Sequence, residues 1–200
     1  MRTLPRLLAA PVIALALALP LPGLAGSGPL DTAVSADAVG EKKQTKSGLY
    51  ITAAEAGGIL AAREDVLLID LRTPEETMLV GHPVAADANI PFKLIDSAYR
   101  LNPEKGSYEM VANPGFVGTV KEFLESTDPA AVVVMCRSGG RSAAAVDALV
   151  AAGVTVPLYS MVDGFEGDKT DAGRRDLNGW KNAGLNWTDK IPEGFLKGVE

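Results

Sequence analysis

The chain has 200 residues, a formal net charge of −6, one cysteine and one histidine. An acidic protein without a long basic run is poorly suited to nucleic acid or anionic membranes, so neither is expected as a partner. A single cysteine allows no internal disulfide, and one cysteine with one histidine cannot supply the usual ligands of a zinc site. We therefore predict no metal site, no cofactor, and a fold that depends on its hydrophobic core.

The first 25 residues predict a secretory signal peptide. A short basic start precedes an apolar run over 7–19, and small residues up to Ala25 offer a cleavage site. This run is interrupted by Pro11 and is shorter than the roughly 20 residues that span a bilayer. An uncleaved anchor is the alternative. Cleavage would remove two arginines and no acidic residue, leaving a net charge of −8 on a periplasmic or secreted protein without membrane attachment.

Three regions follow the predicted signal peptide. Residues 26–48 are small and polar without apolar periodicity, which predicts a flexible linker. Residues 49–187 alternate apolar β-branched runs with helical patterns, and residues 188–200 form a tail. Strands that alternate with helices indicate one α/β domain, with a mainly parallel central sheet and helices on both faces.

The elements of this domain can be predicted in chain order. They are a helix capped by Thr52 and Glu55, a buried strand over 66–70, a short helix opened by Pro74, a short strand over 88–91, a helix over 116–125, a buried strand over 131–135, a helix over 142–150 and a strand over 154–159. Pro157 lacks a backbone donor, so the last strand is expected at a sheet edge. Residues 92–115 and 168–178 are insertions without an assigned role, the first expected to pack on the core through its apolar residues.

The segment from Cys136 to Arg141 lies between the second buried strand and the helix that follows it. Backbone N–H groups at such a turn, together with the helix N-terminus, stabilise an anion, here the cysteine thiolate. Gly139 and Gly140 can adopt positive φ, which lets the loop curl around the sulfur. Arg137 and Arg141 can hold an oxyanion, although Arg137 could equally be a solvent-facing charge. The alternative is a buried structural cysteine, but apolar packing of a cysteine does not require these glycines and arginines.

This loop resembles the active-site loop of the rhodanese family of thiosulfate sulfurtransferases, whose pattern is Cys-Arg-x-Gly-x-Arg/Thr. Other segments are similar to rhodanese motifs in the expected order: 68–76 with its Asp-x-Arg, 81–91 with its Gly-His, 161–167 with its Gly-Phe, and the closing segment 179–187. The departures are Ala85 or Ala86 and Asp163, where the family has glycine, and Asn186, where it has proline. The resemblance covers residues 49 to 187.

The resemblance implies a rhodanese-like domain and a role for each matched residue. Cys136 would be the nucleophile that carries a persulfide. Substrate binding would fall to the rest of the loop, namely Arg137, Ser138, Gly139, Gly140 and Arg141. Asp70, Arg72 and His82 would be supporting, structural residues, and the sole histidine is therefore not assigned as a general base.

The function expected from the loop is sulfur transfer by double displacement. A sulfane donor such as thiosulfate would load Cys136, and cyanide or a thiol, including a thiol-bearing protein, would accept the sulfur. Phosphatases and arsenate reductases of the related loop type place five residues between cysteine and arginine, whereas four separate Cys136 from Arg141. Those activities, and a non-catalytic rhodanese-like binding module, are the alternatives. Neither the physiological donor and acceptor nor the oligomeric state can be predicted.

Overall fold

The structure, a computed structural model, describes residues 30–199; the predicted signal peptide over 1–25 lies outside this range. Within this range two 3₁₀ helices, Ala36–Ala38 and Glu41–Lys43, come first and are followed by four α-helices and eleven short strands. In chain order they are β1 (Tyr50–Ile51), α1 (Ala53–Ala62), β2 (Val66–Asp70), α2 (Pro74–Val80), β3 (His82–Pro83), β4 (Ala88–Asn89), β5 (Lys93–Ile95), β6 (Leu101–Asn102), β7 (Ser107–Tyr108), β8 (Met110–Ala112), α3 (Phe116–Thr127), β9 (Ala131–Met135), α4 (Gly140–Ala151), β10 (Leu158–Met161) and β11 (Trp187–Thr188). Within these described residues no helix is long and apolar enough to cross a membrane.

Five strands form a central parallel sheet in the order β1-β10-β9-β2-β4. All four neighbouring pairs are parallel, and β2 lies alongside β9 over its whole length, with Ile69 opposite Val134. Every residue of β9 is fully buried, as its unbroken apolar sequence predicts for the centre of such a sheet. The predicted α/β class and the mainly parallel sheet are therefore confirmed.

Successive strand residues point to opposite faces of this sheet, and each face is covered by helices. One face packs with α1 through a cluster that includes Leu68, Val133, Met135, Tyr159, Ala53 and Ala56. The other face packs with α3 and α4 through a cluster that includes Ile69, Val132, Val134, Phe116, Val120, Val146 and Leu149. Both cores meet at β2 and β9, so these two strands fix where the segments at their carboxyl ends lie.

The predicted edge position of the last strand is wrong. β10 lies between β1 and β9 in the interior of the sheet. Pro157 precedes the strand rather than lying within it, so its missing N–H removes no hydrogen bond of the sheet. The Pro157 carbonyl instead accepts a hydrogen bond of 2.9 Å from the Val132 N–H. The edge position belongs to β1, which is only two residues long.

The first insertion, residues 92–115, forms two antiparallel strand pairs outside the central sheet. β5 pairs with β8, and β6 pairs with β7 at the far end of the same hairpin-like extension. The expectation that its apolar residues pack on the core is wrong for most of them. The exposed fractions are 64% for Tyr99, 64% for Leu101, 55% for Tyr108 and 40% for Val111.

The predicted flexible linker is packed against the domain in the part that the structure describes, residues 30–48. Leu30 is buried in the α1 core, and its N–H donates a hydrogen bond of 2.7 Å to the Tyr159 hydroxyl. Further along, Lys43 forms an ion pair of 2.7 Å with Asp168. The small, polar composition of this segment failed to indicate packing because only two of its side chains, those of Leu30 and Val39, are buried.

The C-terminal tail extends the opposite edge of the sheet. The Asn89 N–H donates to the Phe195 carbonyl at 2.8 Å, and the Lys197 N–H donates to the Asn89 carbonyl at 2.9 Å. Phe195 is 4% exposed, and its ring lies 4.3 Å from that of His82. The two nitrogens of His82 lie 2.9 Å from the Pro83 carbonyl oxygen and 3.2 Å from that of Lys190. His82 thus connects the tail to the domain.

We predict that Phe195→Ala lowers the free energy of unfolding by about 3 kcal/mol, because it empties a buried aromatic site. Ile191→Ala, at a half-exposed residue of the same tail, is the matched control and should cost less than about 1 kcal/mol. Urea unfolding followed by circular dichroism measures both. Equal, small losses for the two variants would show that the tail does not stabilise the domain.

Candidate active site

Cys136 lies at the carboxyl end of β9, directly before the turn that begins α4. Its side chain is 2% exposed, and the Gly139 N–H donates a hydrogen bond of 3.2 Å to Sγ. Gly139 has φ of +99°, and a Cβ at this position would lie 2.3 Å from the Val162 carbonyl oxygen. Only glycine fits there. The predicted loop is therefore shorter than expected, since α4 already begins at Gly140, and the sulfur lies at its N-terminus.

The segment after β10 holds the cysteine loop in place. The Phe165 N–H donates to the Cys136 carbonyl at 2.8 Å, and the Glu166 N–H donates to the Arg137 carbonyl at 3.0 Å. Gly164 has φ of +64°, and a Cβ there would lie 2.5 Å from the Cys136 carbonyl oxygen. The segment over 161–167, which is similar to a rhodanese motif, therefore lies directly against the cysteine loop.

Arg141 is bound to a carboxylate that the sequence analysis did not single out. Its two terminal nitrogens donate to the two oxygens of Glu76, both at 2.6 Å, in a forked ion pair. Burial raises the pKa of Glu76, but hydrogen bonding and charge from Arg141 more than offset this and hold the pKa below its ordinary value. Burial by itself would lower the pKa of Arg141. The hydrogen bonds and the charge of Glu76 outweigh this effect, so the pKa of Arg141 is raised above its ordinary value. Arg141 is therefore not the unpaired cation that the sequence suggests.

Glu76 also belongs to α2. Its Oε2 accepts a hydrogen bond of 3.0 Å from the Thr73 N–H, and the Thr73 side chain accepts one from the Glu76 N–H. This capping box begins α2 and fixes the glutamate that orients Arg141. The pattern of threonine followed by glutamate three residues later is visible in the sequence and indicates the cap. Its pairing with Arg141, 65 residues away, is not visible there.

Arg137 is paired as well, at the outer side of the loop. Its guanidinium donates to Glu166 at 2.6 and 3.2 Å, and its side chain is 46% exposed. Of the two interpretations of Arg137, solvent-facing charge agrees with this exposure. Both loop arginines therefore have carboxylate partners, and the donor that contacts Sγ among the described residues is the Gly139 N–H at the N-terminus of α4.

Asp70 and Arg72 form a fully buried ion pair beneath the site. The Arg72 Nε donates to Asp70 at 3.0 Å, and its Nη2 donates to the Gly81 carbonyl at 2.8 Å. The guanidinium carbon lies 4.0 Å from the centre of the Phe165 ring. These contacts join the end of β2 to the end of α2 and to the segment after β10, as expected of supporting residues.

Asp163, which replaces a glycine of the rhodanese pattern, joins two further segments. Its carboxylate accepts hydrogen bonds from the Ala53 N–H at 2.8 Å and from the Gly179 N–H at 3.0 Å. Burial raises the pKa of Asp163, and the two N–H donors offset this only in part. The closing segment over 179–187 is thus connected to α1 and to the turn that holds Cys136.

A cleft of about 840 Å³ opens above Cys136. Its floor includes Thr73, Glu76 and every residue from Cys136 to Arg141 except Gly139. The facing wall is formed entirely by the insertion over 92–115. The supporting residues Asp70, Arg72 and His82 are not part of its lining. Among the described residues, no group of three His, Cys, Asp or Glu side chains could hold a metal ion.

Comparison with solved structures identifies the class of fold. The crystal structure of Rv0390 from M. tuberculosis has a TM-score of 0.52 and 27% identity, covering 70% of this chain and 96% of that one. The protein of unknown function RPA3614 from Rhodopseudomonas palustris, described as a possible tyrosine phosphatase, has a TM-score of 0.43 and 19% identity over 80% and 99%. The domain has a rhodanese-like fold.

The sequence relatives come from Rickettsia. No family model matches the chain. The uncharacterized protein RP600 of Rickettsia prowazekii is 30% identical over 137 residues, which cover 68% of this chain and 94% of that protein. The uncharacterized protein RC0915 of Rickettsia conorii is 29% identical with the same coverage. The chain belongs to the same family as RP600.

We predict that the ion pair of Glu76 with Arg141 contributes stability only where Glu76 is ionised. The pKa of Glu76 is lowered in the folded protein, so this stability is present above the ordinary glutamate value of 4.5 and is lost as the pH falls through the lowered pKa. Glu76→Gln keeps the helix cap but removes the charge, and should cost about 1–3 kcal/mol at neutral pH.

Urea unfolding between about pH 7 and about pH 3 measures this dependence, because the difference between wild type and Glu76→Gln should narrow in acid. Glu125→Gln, at an exposed residue of α3 without an ion pair among the described residues, is the control and should show a small, constant difference. A difference for Glu76→Gln that is equally constant would contradict a stabilising charge at this position.

Proposed function

We propose that this protein is a sulfurtransferase whose Cys136 carries sulfur as a persulfide. The observation that supports this best is the position of Cys136 on the floor of an open cleft, at the N-terminus of α4 and within reach of the Gly139 N–H. A sulfur in that environment is stabilised as an anion, both as thiolate and as persulfide. The rhodanese-like fold agrees with the resemblance of the loop to that of rhodaneses.

In the first half of the reaction the Cys136 thiolate attacks the outer sulfur of a sulfane donor. With thiosulfate, a bond forms between Sγ and the outer sulfur while the bond from that sulfur to the sulfonate sulfur breaks. Sulfite leaves with the electron pair of the broken bond, and Cys136 becomes a persulfide anion. The Gly139 N–H and the helix N-terminus then face a sulfur that keeps its negative charge throughout, so no charged group has to reorganise.

In the second half a nucleophilic acceptor, cyanide or a thiolate, attacks the outer sulfur of the persulfide. The bond between the two sulfurs breaks, the acceptor leaves with the outer sulfur, and the Cys136 thiolate is regenerated. Net oxidation does not occur, and no cofactor is needed. The signal-peptide pattern over 1–25 supports a proposed location in the periplasm or outside the cell.

The spacing of the loop favours sulfur over phosphate chemistry. Four residues separate Cys136 from Arg141, one fewer than in the phosphatase pattern. The ring of backbone donors is correspondingly smaller, and Glu76 places a carboxylate on the floor of the cleft. The smaller ring suits a single sulfur atom better than a tetrahedral phosphate, whereas the Glu76 charge does not discriminate, because thiosulfate and phosphate are both dianions.

We predict that thiosulfate adds one sulfur atom to the wild-type protein and none to Cys136→Ser. A serine hydroxyl is similar in size to the thiol but cannot form a persulfide, so the variant should fold and lose thiosulfate:cyanide sulfurtransferase activity. Intact mass spectrometry reads the addition without ambiguity, because Cys136 is the only cysteine. Persistent turnover in the serine variant would exclude Cys136 as the nucleophile.

We predict that Arg141→Ala reduces kcat/KM for thiosulfate more than the double variant Glu76→Gln with Arg141→Ala. The single change removes a cation and also leaves the Glu76 charge unpaired beside an anionic donor. The double change removes that repulsion, but should still leave kcat/KM at least about tenfold below wild type, because the forked donor is absent.

Steady-state kinetics of the two single variants and the double variant form a complete cycle. Arg141→Lys completes the series, since it keeps the charge without the fork and should be intermediate. Wild-type kinetics in the double variant would show that Arg141 only neutralises Glu76 and does not contact the donor.

A further inference from the structure

The wall of the cleft formed by the insertion over 92–115 is apolar where its strands face each other. Ile95 lies opposite Met110 in the pair of β5 and β8, and Leu101 lies opposite Tyr108 in the pair of β6 and β7. All four residues line the cleft above Cys136. These side chains contribute little to the core, because Leu101 and Tyr108 are more than half exposed. The insertion therefore presents apolar surface to whatever enters the cleft.

Two lysines lie among these apolar side chains. Lys93 and Lys105 both line the cleft, and neither has an ion-pair partner within residues 30–199. The nearby Glu109 accepts a hydrogen bond of 2.8 Å from the Asn102 amide. Unlike the arginines of the cysteine loop, these two cations are available to a negatively charged group of a bound molecule.

The dimensions of this surface exceed the needs of a small sulfur compound. A cleft of about 840 Å³ is in the range that accommodates a drug-sized molecule, whereas thiosulfate and cyanide are only a few atoms large. The apolar surface also continues beyond the cleft to Tyr99, which is 64% exposed and whose ring packs edge-on against Tyr108. A small thiol inside the cleft would leave this outer part uncovered. A polypeptide that enters the cleft and rests on its rim would cover it.

We propose that the sulfur acceptor is a cysteine of a partner polypeptide, in a segment that has apolar and acidic residues beside the cysteine. The apolar residues would pack on the Leu101 and Tyr108 side of the insertion, and the acidic residues would pair with Lys93 and Lys105. This inference rests on the proposed function. The acceptor thiolate attacks the outer sulfur of the Cys136 persulfide, a sulfur–sulfur bond forms to the acceptor, the bond between the two persulfide sulfurs breaks, and the Cys136 thiolate leaves. The products are an acceptor persulfide and the free enzyme.

The test uses three acceptors with enzyme first loaded by thiosulfate. One is a blocked pentapeptide with leucine on both sides of a central cysteine and aspartate at both ends. The second has serine and lysine in those places, and the third is cyanide. We expect kcat/KM for the acidic, apolar peptide to exceed that for the basic peptide by at least about tenfold. Equal values for the two peptides would overturn the proposal in favour of a small thiol acceptor.

A pair of double variants locates the preference on the insertion. Lys105→Glu with Tyr108→Ser should lower the ratio of kcat/KM for the acidic peptide to that for cyanide by at least about tenfold. Lys190→Glu with Ile191→Ser makes the same kinds of change at exposed residues of the tail, outside the cleft, and should leave the ratio unaltered. A ratio that is unaltered in both would show that the insertion does not recognise the acceptor.

A second readout separates this inference from the proposed function. The acidic peptide with serine in place of its cysteine cannot accept sulfur but should still occupy the cleft and slow the alkylation of Cys136 by iodoacetamide. Protection without any loading by thiosulfate would retain the docking surface and reject the sulfur-transfer step. Loading without protection, and without preference between the peptides, would retain the proposed function and reject the docking surface.

Discussion

The architecture of the site depends on the close contact of two backbone segments at one edge of the sheet. The carbonyl groups of Cys136 and Arg137 accept hydrogen bonds from the turn after β10. At this distance a Cβ at Gly139 or Gly164 would lie within 2.5 Å of a backbone oxygen, so both positions require glycine. Because β9 and β10 are parallel neighbours, their carboxyl ends meet at one edge of the sheet. Backbone hydrogen bonds between the segments that follow them fix the position of Cys136.

Around this contact, three arginines are each paired with a carboxylate. Arg72 pairs with Asp70 beneath the site, Arg141 with Glu76 on the floor of the cleft, and Arg137 with Glu166 at its outer side. These pairs join α2, the cysteine loop and the segment after β10. They also offset the positive charge beside the sulfur, which lies at the N-terminus of α4 with the Gly139 nitrogen 3.2 Å from Sγ. Lys93 and Lys105 of the insertion line the same cleft and have no ion-pair partner within residues 30–199.

Much of this organisation could be predicted from the sequence, because it follows from patterns of residues that are neighbours along the chain. The apolar run of β9, the helix that follows and the glycines between them place Cys136 correctly. The features that could not be predicted depend on contacts between residues that are far apart in the sequence. Glu76 and Arg141 are 65 residues apart, and the sequence around each residue does not indicate that the two form an ion pair. Pro157 directly precedes β10, so the missing N–H of the proline does not prevent this strand from lying in the interior of the sheet. The apolar residues of the insertion face a cleft rather than the core. A pattern of hydrophobic residues does not distinguish the two surfaces.

The amount of sulfite released in a single turnover shows whether Cys136 takes sulfur from a donor and keeps it. Excess thiosulfate is mixed with the protein in the absence of an acceptor, and sulfite is measured against time. We expect a rapid release of about one equivalent per Cys136, followed by a halt until an acceptor is added. Absence of sulfite, together with hydrolysis of p-nitrophenyl phosphate by the same protein, would contradict it and assign the loop to phosphoryl transfer.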